Sequence, residues 1–101
     1  AEGDQEFINS VVSVFLEEVP QDLKDLELAL EQKDHERVYQ LAHKIKPNVD
    51  LLGMEQTRAA ALEIETMGKN SASIADIEKV FPALKTDIVQ VMAELKNDFN
   101  L

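Results

Sequence analysis

An all-α fold, an antiparallel up-and-down four-helix bundle occupying residues 1–101 as one domain, is predicted by three observations. Helix-favouring Ala, Leu, Glu, Lys and Gln dominate, and only three Gly and three Pro interrupt the 101 residues. Apolar residues return at three- and four-residue steps along four separate segments. The connections between segments are short, so neighbours in sequence pack as antiparallel neighbours in space.

The first segment carries Phe7, Ile8, Val11, Val12, Phe15, Leu16 and Val19, with Asp4 placed to cap it. Leu23, Leu26 and Leu30 continue the period beyond Pro20. Proline lacks the N–H of a helical hydrogen bond and its ring crowds the preceding turn, so this segment reads as one long helix kinked at Pro20. Lys33-Asp34 is a short polar break, and the Asp34 carboxylate can take the orphan amides of a second helix running from about His35 to Leu52. Gly53 supplies a left-handed stop, and Gly68 is expected to do the same for a third helix from about Glu55 to Met67. Asn70 to Ser73 form a loop, after which Ser73 and Asp76 resemble a capping box. The fourth helix buries Ile74, Ile77, Val80, Phe81, Leu84, Ile88, Val91, Met92, Leu95 and Phe99, with Pro82 able to bend its early part. Met54, Met67 and Met92 read as core filling. The acidic run from Glu17 to Glu31 reads as a solvated face.

Charge and composition exclude several classes of function. Twenty Asp and Glu against ten Lys and Arg give a net charge of −10, which repels phosphate backbones and anionic lipid. Nucleic acid is therefore not an expected partner. With no Cys there is no disulfide framework, thiolate metal site or cysteine nucleophile, and the cytoplasm is the expected compartment. Apolar runs such as Ala59 to Leu62 stop at four residues, too short for membrane insertion. Gly3, Gly53 and Gly68 are isolated, so a glycine-rich nucleotide loop is not expected. Gln40 and Gln32 stand three residues before His43 and His35, where a helical carboxylate–histidine metal pair would require Glu. Neither metal nor other cofactor is expected. Ala in place of Met at the first position fits a piece of a longer protein or a processed chain.

The second helix concentrates the chemistry. At about 100° per residue, Val38, Leu41, Ala42, Ile45, Val49 and Leu52 fall within about 60° of one direction, which is the core. His43 points about 140° away, on the side of Glu36, Lys46, Pro47 and Asp50. From Arg37 to Val49 the chain carries Arg37, Lys44 and Lys46 and no carboxylate, a cationic window in an acidic protein. An imidazole is a competent nucleophile at neutral pH, and an ammonium one turn away can pair with an anion placed on the ring. A phosphoryl group fits that description. His35, at the first turn and near the flank of the core stripe, reads instead as a structural or solvent residue. Leu51 lies about 140° from the core direction, exposed near His43 or covered by the following turn.

The run Ala42-His43-Lys44-Ile45-Lys46-Pro47-Asn48-Val49-Asp50-Leu51-Leu52-Gly53 resembles the signature of histidine phosphotransfer domains. In that family an Ala-His pair is followed by Lys three residues after the His and by Gly ten residues after it; Lys46 and Gly53 meet both offsets. The resemblance extends to Phe15-Leu16-Glu17-Glu18-Val19-Pro20 and the turn at Lys33-Asp34. It implies a helical bundle acting as phosphocarrier in a multistep His-Asp relay. His43 would accept a phosphoryl group from a receiver-domain aspartate and pass it to another receiver, and Lys46 would steady the phosphate. Pro47 stands where the family usually has Gly, and Asp50 where a small residue is frequent, so the docking face differs from the usual one. Receiver domains are the expected partners, approaching over Tyr39, Gln40, Lys46, Pro47 and Asp50. The chain would not be a kinase in its own right. The competing expectation is a bundle used only for protein–protein docking, with an imidazole that is never modified.

Overall fold

The computed structural model describes residues 2–99, which form four helices: α1 (Glu2–Glu31), α2 (His35–Leu51), α3 (Glu55–Lys69) and α4 (Ile74–Asp98). At about 1.5 Å per residue a 30-residue α1 spans about 45 Å, which accounts for the 46 Å long axis. The ring of neighbours is closed: α1 packs on α2 and α4, and α3 packs on α2 and α4. Up-and-down connectivity follows from connections too short to cross the bundle.

Each helix buries the stripe that its periodicity dictates. Phe15, Val19, Leu23, Leu26 and Leu30 of α1 share one core with Val38, Leu41, Ala42, Ile45 and Val49 of α2, and Val12 of α1 is buried as well. From α4 come Ile77, Phe81, Leu84 and Ile88, all buried, with Ile74, Val80, Val91, Met92 and Leu95 packed at the margin. Met54 and Met67 join the same margin as filling. The stripe of α3 is different in kind. Beside Ala61 and Ile64 it buries Thr57, Glu65 and Gly68, so two polar side chains and a bare backbone occupy core positions.

Helix ends explain the connections. Three helices stop in the same way, with a left-handed residue and a hydrogen bond closing back over six residues. In the first stop Lys33 takes φ 57° and Asp34 N–H donates to the Ala29 carbonyl at 2.9 Å. In the second, Gly53 takes φ 72° and Met54 N–H donates to Val49 at 3.1 Å. In the third, Ser71 takes φ 56° and Ala72 N–H donates to Met67 at 2.9 Å. The starts of α2 and α4 are capped as their sequences direct: Asp34 Oδ1 accepts from Arg37 N–H at 3.0 Å, and Ser73 Oγ from Asp76 N–H at 3.2 Å.

Three expectations are corrected. Asp4 lies inside α1, not ahead of it, because helical backbone is already present at Glu2. Pro20, by contrast, lies within a single continuous α1, in line with the one-helix reading, and α2 and α4 likewise run through Pro47 and Pro82. The run from Glu17 to Glu31 is not wholly solvated, since Asp22 is only 3% exposed and Lys44 Nζ donates to its Oδ1 at 3.0 Å. That hydrogen bond keeps the Lys44 ammonium charged to higher pH than usual. Among the described residues the other Asp22 oxygen has no hydrogen-bond partner.

The third correction concerns Gly68, which does not stop α3. The helix continues to Lys69, and Ser71 occupies the left-handed slot instead. Gly68 is needed for another reason. A Cβ there would lie 2.9 Å from Tyr39 Cβ, 3.1 Å from Tyr39 N and 3.2 Å from the His35 carbonyl oxygen, so α2 and α3 cross with no room for a side chain. In an open helix Gly→Ala gains about 1 kcal/mol. Here Gly68→Ala should instead lose roughly 1–3 kcal/mol, because the obstructing atoms are backbone and a side-chain root that cannot rotate away. Urea unfolding reads this directly, and a stabilised variant would show that the crossing is not tight.

Candidate functional site

The crossing held by Gly68 brings α3 against the His43 side of α2. His43 lies on the outer half of α2, and its side chain is 68% exposed. Its Nδ1 lies 2.6 Å from Oε2 of Glu65, a residue 22 positions later on α3. Lys46 Nζ donates to the other oxygen, Oε1, at 2.8 Å. One buried carboxylate therefore holds both residues that the second helix offers.

Glu65 is in a low-dielectric position, and burial alone pushes its carboxyl up. The hydrogen bonds from Lys46 and His43, with their charges, outweigh burial and hold it below the ordinary glutamate range. A depressed carboxyl stabilises the folded chain above the unfolded glutamate value, and that contribution is lost as pH falls through the lower folded value. At neutral pH Glu65 is ionised and can only accept, so the proton sits on His43 Nδ1. The lone pair is then on Nε2. Among the described residues none hydrogen-bonds Nε2, so that lone pair is available to an incoming electrophile.

A shallow hollow of about 370 Å³ beside the ring is lined by Tyr39, Gln40, His43, Glu65 and Lys69. Lys69 Nζ stands 3.7 Å from Glu65 Oε2 and 5.8 Å from the centre of the Tyr39 ring. A hollow of similar size, about 350 Å³, opens between the start of α3 and Asp87 of α4. Its lining of Thr57, Asp87, Gln56 and Gln90 holds neither imidazole nor lysine, and Thr57 Oγ1 is spent on Asp87 at 3.2 Å.

The sequence-predicted residues divide accordingly. Gln40, Pro47 and Asp50 are exposed and Tyr39 is half-buried; Tyr39 and Gln40 line the hollow with His43, while Asp50 faces Arg58 at 3.4 Å. Leu51 is exposed, not covered, at 58%. Lys46 is not on open surface: its side chain is 25% exposed and its ammonium is committed to Glu65. The cationic window is a feature of the linear chain alone. In three dimensions Arg37 approaches Asp25 at 3.9 Å, Lys44 pairs with Asp22 and Lys46 with Glu65, all carboxylates from other helices. His35 is structural, its Nε2 2.7 Å from the Ala72 carbonyl; a carbonyl can only accept, so Nε2 donates and pins the start of α2 to the end of the α3–α4 loop.

Glu65 and Lys69 are the site residues that sequence reasoning misses. One signal for Glu65 was available. With Thr57, Ala61, Ile64 and Gly68 on one stripe of α3, Glu65 falls about 70° from its centre, at the flank of the buried face, where a charged residue needs a partner. Nothing local names that partner.

The antiparallel four-helix bundle presents a solvent-facing imidazole, His43, held through its inner nitrogen. A family model described as "Hpt domain" matches residues 10–97, and the chain belongs to that family. Hpt domains are phosphocarriers of His-Asp phosphorelays. No curated protein and no solved structure matches the chain. No helix among the described residues is long and apolar enough to cross a membrane.

Proposed function

We propose that this chain is a relay element in which His43 takes a phosphoryl group from the aspartyl phosphate of one receiver domain and yields it to the aspartate of another. The observation that carries the reading is the exposed imidazole with Nδ1 bound to a buried, ionised Glu65. In the forward step the Nε2 lone pair attacks phosphorus. The P–N bond forms as the P–O bond to the receiver aspartate breaks, and the carboxylate leaves with the bonding pair. No proton departs: Nδ1 keeps its hydrogen, and the positive charge that develops on the ring faces Glu65. Reversal of the same step hands the group on.

Little else is required of the carrier. Phosphoryl transfer depends mainly on positioning and on neutralising the equatorial oxygens, and the receiver brings its own acceptor aspartate and metal ion. Glu65 supplies position by fixing the tautomer and the plane of the ring. Lys46 keeps Glu65 ionised and adds positive potential one carboxylate away from the phosphate. The receiver docks over Gln40, Pro47, Asp50 and the edge of Tyr39, with Leu51 as an apolar contact farther along the same helix. Carrier chemistry of this kind uses no nucleotide site.

The test is transfer from a receiver domain loaded with acetyl phosphate. The chain should acquire phosphate that is acid-labile and alkali-stable, the stability pattern of phosphohistidine. A docking-only bundle would bind the receiver and take no label. In the same assay Lys46→Gln should slow uptake roughly tenfold, the worth of one charge-assisted hydrogen bond, with helicity retained. Glu65→Gln should slow it by a similar factor, because a neutral amide no longer balances charge on the ring. Uptake at the wild-type rate in both variants would remove the carboxylate–lysine pair from the mechanism.

A further inference from the structure

Two ammonium groups share one buried carboxylate, and they share it unequally. Lys46 Nζ lies 2.8 Å from Glu65 Oε1, a hydrogen bond, and its side chain is 25% exposed. Lys69 Nζ lies 3.7 Å from Oε2, beyond hydrogen-bond reach, on an oxygen that His43 Nδ1 already occupies at 2.6 Å. The Lys69 side chain is 57% exposed and rests above the Tyr39 ring. It lines the hollow with His43, and Lys46 does not.

One carboxylate against two ammonium groups leaves one positive charge in excess beside the imidazole, in a chain whose net charge is −10. That excess cannot come from the other cations of α2. Arg37 and Lys44 face Asp25 and Asp22 on the α1 side.

We infer that Lys69 is the side chain that directly contacts the phosphoryl oxygens on His43, while Lys46 remains on Glu65. The assignment rests on the phosphocarrier reading and specifies the cation that this reading leaves open. A phosphoryl group on Nε2 brings close to two negative charges to the neighbourhood of an ionised carboxylate. A cation has to come between them. Lys69 can do so by rotating a flexible stem, giving up only a long contact and a ring contact. Lys46 could do so only by stripping a hydrogen bond from a buried carboxylate, a far more costly move.

The experiment compares the full chain with Lys69→Gln and Lys69→Arg. Each is labelled from a receiver domain loaded with acetyl phosphate, freed of the receiver, and followed for loss of acid-labile phosphate and for the phosphorus-31 resonance. Lys69→Gln should shorten the phosphohistidine half-life roughly tenfold, again the worth of one charge-assisted hydrogen bond, and shift the resonance. Lys69→Arg should restore the half-life to within about threefold, since the charge is kept with altered geometry. A purely structural lysine would move the melting temperature and leave the resonance in place, which overturns the assignment. Label on His43 with equal half-lives in wild type and Lys69→Gln also overturns it, and spares the carrier reading. A wild-type chain that takes no label on His43 overturns both.

Discussion

Replacing His43 by Gln is expected to abolish phosphoryl uptake altogether while changing stability by no more than about 0.5 kcal/mol, whereas replacing His35 by Gln should leave uptake intact and cost about 1 kcal/mol. The chemical half follows from valence. Glutamine has no lone pair comparable to imidazole Nε2, so no P–N bond can form, whatever the state of Glu65 and Lys46. The structural half follows from exposure: the His43 side chain is 68% open, and Glu65 keeps Lys46 as a donor when the ring is gone. His35 occupies the opposite situation. Its ring is half-buried and holds the Ala72 carbonyl at 2.7 Å, far from any hollow that contains His43. Losing that bond should cost about 1 kcal/mol and leave transfer intact. Labelling and thermal melting on the two variants suffice, and residual acid-labile phosphate on His43→Gln would mean that a different residue carries the group.

The largest expected loss of stability lies on the other side of the same helix. Ile45 is fully buried at the centre of the core, and Ile45→Ala removes three carbons from a close-packed site. The cost should be roughly 2–5 kcal/mol, a fall in melting temperature of roughly 10 °C or more for a domain of this size. Ile45 is two residues from His43, about 200° around the helix, so its loss opens a cavity without moving the reactive face. Well below its melting point the variant should therefore still take up phosphate. Loss of transfer in a variant that is still folded would show that core packing and reactive face are coupled more tightly than the geometry of α2 implies.

These two predictions mark a division that runs through the whole molecule. Helix identity, the caps at Asp34 and Ser73, the stop at Gly53 and the outward direction of His43 were all legible in the chain. Each depends on residues within four or five positions of one another, and the angular period of a helix converts such spacing directly into a face. The bundle followed too, because four apolar stripes joined by short links have one economical arrangement. Gly68 was misread for the same local reason: a glycine near a helix end resembles a stop, and only the approach of Tyr39 and His35 from α2 shows that the missing side chain makes room for a crossing.

What surrounds His43 was out of reach of local reading. Its partner Glu65 is 22 residues away, and Lys46 looked like an exposed cation until that carboxylate was placed beneath it. Charge along a chain reports only which groups exist. Which of them meet is decided by how α3 packs on α2, and a buried carboxylate acquires its ionisation, its donors and its effect on the imidazole from that packing alone.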